Sequence, residues 1–120
     1  MIIKKQSNNS ILFTFFTFVL ITSQNVLSER WSCSYEISGE SKPAVFVRKD
    51  DTFLVSSIYN SMPYEIIKEK FNFIHLYRND ELKYYAVMLN KENNRFAMIY
   101  LDAAEDTSAK ISGNCIVSNE

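Results

Sequence analysis

Cys33 and Cys115 constrain this chain more than any other feature, because they stand near the two ends of its folding part. Trp31, Cys33, Tyr35 and Ile37 alternate with Ser32, Ser34 and Glu36, and Ile111, Cys115 and Val117 alternate with Ser112, Asn114 and Ser118. A period of two is that of a strand with one apolar face, so each cysteine shares a buried face with apolar neighbours. A bond between them would join a first strand to a last one, closing the sheet on itself or bringing its ends together. In the chain-entropy picture, closing so long a loop is worth roughly 4–5 kcal/mol. A domain this small has a thin core margin, so the contribution matters. A reactive thiol or a metal pair would be the other uses of two cysteines. With one histidine in the chain, the pair cannot complete a four-ligand zinc site. A structural disulfide is expected.

Disulfides need an oxidising compartment, and the N-terminus supplies the matching expectation. Lys4 and Lys5 precede the uncharged run Ile11–Ile21, and Val26-Leu27-Ser28 places small or medium residues before a cut ahead of Glu29. Basic start, apolar centre and small-residue exit make an export signal. A cut after Ser23 fits nearly as well. A membrane anchor takes about 20 mostly apolar residues, whereas this run has 11 and includes Thr14 and Thr17. Residues 1–28 are therefore read as a cleavable signal and 29–120 as one domain, exported to the periplasm or beyond the cell and free of the membrane once cut. That domain carries 11 basic and 14 acidic residues, scattered without a cluster. Such a balance gives no electrostatic reason to hold nucleic acid.

Strand signals recur between turn residues: Trp31–Ile37, Ala44–Arg48, Thr52–Tyr59, Phe71–Tyr77, Tyr84–Leu89, Arg95–Leu101 and Lys110–Val117. Residues 38–43 read as a loop and 60–63 as a turn, and Asn93 and Asn94 suit a left-handed turn. Consecutive strands with short connections predict an all-β antiparallel meander, closed as a barrel or curled as an open sheet. Residues 64–71 allow a short helix, since Tyr64, Ile67 and Phe71 have helical spacing behind Pro63. A strand is preferred there because both flanks are strands.

Signatures of chemistry are sparse. His75 shares strand parity with Phe73 and Tyr77, and no nucleophile elbow accompanies it. Asp50-Asp51, Asp80-Glu81 and Glu105-Asp106 fall in turns, where adjacent carboxylates are solvated tips. The stretch Asp102–Asp106 lacks the ligand spacing of a calcium loop, and Gly39 and Gly113 stand alone, so neither metal nor cofactor is expected. Aromatic residues are abundant instead. Tyr84 and Tyr85 send one ring to each face of their strand, and with Tyr77 they are the candidate contact surface.

The frame Trp31-Ser32-Cys33 near the start and Gly113-Asn114-Cys115 near the end resembles small exported bacterial β proteins of uncharacterised function. More distantly, it is similar to periplasmic lysozyme inhibitors, which are small barrels with an early aromatic-x-Cys. That family blocks the lysozyme cleft with a Ser and a Lys on loops; no residue here is matched to either. The function expected is non-catalytic binding of a protein partner or a small apolar ligand. The alternative is a small secreted hydrolase working through carboxylates and His75.

Overall fold

The computed structural model describes residues 28–57 and 61–119. The export-signal expectation for 1–28 lies outside them except for Ser28. Eight strands follow one another: β1 (Glu29–Ile37), β2 (Glu40–Lys49), β3 (Thr52–Ser56), β4 (Ser61–Lys70), β5 (Phe73–Asp80), β6 (Lys83–Asn90), β7 (Arg95–Asp102) and β8 (Thr107–Asn119). Each pairs antiparallel with the next, and β8 returns to β1, so the meander is a closed barrel rather than an open curled sheet.

The hairpins explain how so little glycine suffices. Ser38 and Gly39 both take positive φ between Ile37 and Glu40, while Asp50 and Glu81 do so in the β2–β3 and β5–β6 turns at φ 60° and 54°. The connections after β6 and β7 are one design used twice. Asn90 Oδ1 accepts the Glu92 and Asn93 amides, and Asp102 Oδ1 accepts those of Ala104 and Glu105. Each then ends on a left-handed residue, Asn94 or Asp106. Short polar side chains that bond their own backbone tolerate that region best.

Two sequence expectations need correction at the edges of strands. Residues 40–43 belong to β2 instead of a loop, and β4 begins at Ser61, ahead of Pro63. Proline cannot donate to a ladder. Pro43 lies beyond the β3 ladder, which starts at Val45, and Pro63 lies beyond the β5 ladder, which starts at Glu65. β3 ends at Ser56, and residues 58 and 59 of the expected Thr52–Tyr59 strand lie outside the described residues.

Residues 64–71 contain no helix; β4 runs through to Lys70. The helical spacing has a physical origin, because the register between β4 and β5 shifts between Ile66 and Lys68. The extra residue, Ile67, breaks the alternation and turns Glu69 to the face of its partner Ile74, which is buried. Ile67 and Phe71 are 49% and 87% exposed, so the apolar spacing marks no common face.

At the seam, Cys33 and Cys115 are register partners on β1 and β8, bonded with Cα atoms 3.9 Å apart. Both point into the barrel with Trp31, Tyr35 and Phe46. Gly113, beside them, has no room for a side chain: a Cβ would meet the Ser34 carbonyl oxygen at 1.7 Å and the Phe96 ring at 3.2 Å. The disulfide ties residues 82 apart, so losing it frees nearly the whole domain in the unfolded state. Cys33→Ser with Cys115→Ser is expected to lower the melting temperature by roughly 15 °C or more. A thermal melt that does not move would contradict a stabilising seam.

Candidate binding cavity

The strand directions define two ends. The base holds the β2–β3, β4–β5 and β6–β7 turns together with Glu29 and Asn119, and the mouth holds the remaining turns. Trp31, Phe53, Ile74, Leu89 and Phe96 stand one or two positions inside the base ends of their strands, all nearly inaccessible. Over them lies a charge clamp. Arg48 Nη1 donates to Glu29 Oε1 at 3.0 Å and to Glu69 Oε2 at 2.9 Å, and Lys91 Nζ donates to Glu69 Oε2 at 3.1 Å. Trp31 Nε1 donates to Glu29 Oε2 at 2.8 Å, and the Arg48 guanidinium sits 5.5 Å from the centre of the Phe53 ring. The base is thus plugged by aromatic bulk and sealed by paired charge.

The mouth half is different. A cavity of about 320 Å³ is bounded below by Phe46 and Val55, around its wall by Tyr35, Tyr64, Tyr85, Met62 and Met98, and towards the mouth by Ile37, Ser57, Tyr100, Ala109 and Ile111. Ala44 completes the lining. Three rings follow one another along one wall, with Tyr64 and Tyr85 centroids 5.9 Å apart and Tyr85 and Tyr100 5.1 Å apart. Phenols are apolar bodies with one polar handle. Burial pushes the Tyr64 hydroxyl well above its ordinary range, with Tyr85 adding to the shift, so it stays neutral. Tyr100 donates to Asp102 Oδ2 at 2.9 Å, which raises the phenol. The Glu105 amide and then the Tyr100 hydroxyl hold the Asp102 carboxyl below the usual carboxylate range. No lining residue carries a formal charge.

The three tyrosines named from sequence do not form one surface. Tyr85 lines the cavity, while Tyr77 and Tyr84 lie on the outer face with ring centroids 6.3 Å apart. His75 is on the outer face too, opposite Lys68 on one side and Met88 on the other. It is separated by the wall from the cavity; Asp50-Asp51 and Glu105-Asp106 lie in turns at opposite ends, while Asp80 closes β5 and only Glu81 of that pair lies in the turn. The hydrolase constellation is not brought together among the described residues. Sequence pattern alone does not mark Tyr35, Tyr64 and Tyr100 as site residues. Their signal was present in strand phase: Tyr35 follows Trp31 and Cys33, and Tyr100 follows Phe96 and Met98.

No family model, curated protein or solved structure matches the chain.

The clamp has a pH signature. The Arg48 guanidinium, helped by Lys91 and opposed by burial, holds the Glu69 carboxyl down from 4.5 to about 2. A depressed folded pKa contributes stability above the unfolded value and loses it as pH falls through the folded one. The contribution is therefore complete above about pH 5 and fades towards pH 2. Glu69 is nearly one-third exposed, so screening leaves roughly 1 kcal/mol. Glu69→Gln should destabilise the barrel at pH 7 by that amount and flatten its acid melting profile. Parallel profiles for the two proteins between pH 5 and pH 2 would contradict this assignment.

Proposed function

We propose that this protein is an exported, non-catalytic binding protein that holds a small apolar ligand in the mouth-side cavity. The observation that carries the reading is the asymmetry of the interior. A barrel of eight strands is just wide enough to be filled by its own side chains or to enclose one small ligand. Here the base half is filled and sealed, while the mouth half is an uncharged, aromatic and thioether-lined space at the small end of the range typical of ligand sites. An engineered cavity of about 150 Å³ takes a benzene, so this one suits a body on the order of a dozen non-hydrogen atoms.

The compartment belongs to the same reading. The Cys33–Cys115 disulfide is compatible with an oxidising location. The Lys4–Ile21 pattern is the reason to place the protein in the periplasm or outside the cell.

A protein partner is a second reading, favoured by the outer face of β6 and β7. There Tyr84 stands opposite Leu101 and Ala86 opposite Ile99, and Ile99 and Leu101 are 44% and 45% exposed.

N-phenyl-1-naphthylamine, an uncharged apolar dye, separates the two readings. Its fluorescence should rise on mixing with the protein. Ala109→Trp, which fills the cavity from near its mouth, should weaken that response at least tenfold, whereas Tyr84→Ala on the outer face should leave it unchanged. An absent response, or one lost with Tyr84→Ala and kept with Ala109→Trp, would count against the cavity.

A further inference from the structure

We infer that the ligand is a cationic amphiphile: an organic amine whose apolar body enters the cavity and whose charge stays at the mouth. The inference rests on the ligand reading above and concerns which head group the site accepts.

Charge is distributed unevenly between the two ends of the barrel. At the mouth, the β7–β8 turn brings Asp102, Glu105 and Asp106, the β5–β6 turn brings Asp80 and Glu81, and the β1–β2 hairpin brings Glu36 and Glu40. Four cations stand at the same end: Lys42, Arg78, Lys83 and Lys110. Lys42 is paired with Glu40 at 2.9 Å. Arg78, whose charge reaches Tyr64, is committed to Asp80 at 2.7 Å and to the Pro63 carbonyl at 2.9 Å. Among the described residues, seven acids against four bases leave the mouth at −3. The base, with Arg48, Lys68, Lys70, Lys91 and Arg95 among its cations, has a small positive excess among the described residues.

The field at the entrance therefore attracts cations and repels anions, and walls of low dielectric around a cleft focus it. The lining agrees with this sign. Aromatic rings are the one kind of apolar surface that also attracts a cation, and five of the lining residues are aromatic. A carboxylate head would find no cation among the lining residues and a net negative rim.

Three ten-carbon probes that differ in head charge test the inference: decylammonium, decanol and decanoate. Each is titrated calorimetrically into the full-length mature protein at pH 7 and low ionic strength. The expected order is decylammonium, then decanol, then decanoate, with at least tenfold between the first and the last. Raising the salt to 0.5 M should narrow the gap several-fold, because rim charges are screened over a few ångströms there. Glu105→Gln with Asp106→Asn, which keeps a residue suited to the left-handed turn position, should narrow it as well. Decanoate binding as tightly as decylammonium would overturn the cationic preference while leaving the cavity as a ligand site. Failure of all three to bind would overturn the ligand reading, and the inference with it.

Discussion

Everything in this molecule depends on β8 returning to β1. An open meander of eight strands would carry two unpaired edges, each a row of backbone donors and acceptors ready to pair with another chain. Closure removes both edges and creates an interior, and only then does the pleat's alternation divide the residues into core and surface. Register partners Cys33 and Cys115 bond across the seam, and Gly113 lets the β8 backbone approach Ser34 where any side chain would collide. The covalent link acts mainly on the unfolded chain, the absent side chain on the folded one. Together they specify one pairing of first and last strands.

Closure also poses a problem of volume, and the chain solves it differently at its two ends. The base receives the bulk, and a single bulge in β4 then turns Glu69 inward, where Arg48 gathers it with Glu29. Polar groups that close a barrel end must be paired with one another, since a lone charge over an aromatic layer would be costly. At the mouth the inward positions are given to Ala44, Ala109, two methionines and tyrosines at the wall. Small residues and flexible thioethers leave space and adapt to what enters it. The cavity is thus a property of which inward positions are large and which are small.

Much of the architecture was legible because its signals are local. Period-two patterning located the strands, and the shared phase of Cys33 with Trp31 and Tyr35 anticipated the inward-facing seam. Asn94 took the left-handed turn its side chain suits. The errors lie where a non-local partner decides. Pro43 and Pro63 read as loop residues until the pairing shows that each stands past the end of the ladder on one side of its strand. At 64–71 the preferred strand is the one that forms, and the helical spacing beside it marks a bulge, since whether a strand carries an extra residue depends on the strand next to it. The site was least legible. Period two sends Tyr84 and Tyr85 to opposite faces, but only Tyr85 of the group with Tyr77 reaches the cavity, and the tyrosines that meet around it come from β1, β4, β6 and β7. Only closure brings those strands to a common interior.

The central claim, that the mouth half of the barrel receives the ligand, is tested most directly by three methyl groups. Met62 and Met98 line the cavity, and Met88, 39% exposed, lies on the outer face opposite His75. Methyl-labelled methionine, followed by NMR as decylammonium is added, reports on both faces in one spectrum. The account predicts that the Met62 and Met98 signals shift in a saturable way while Met88 stays in place. A shift confined to Met88 would put the ligand on the outside of the barrel and contradict the account.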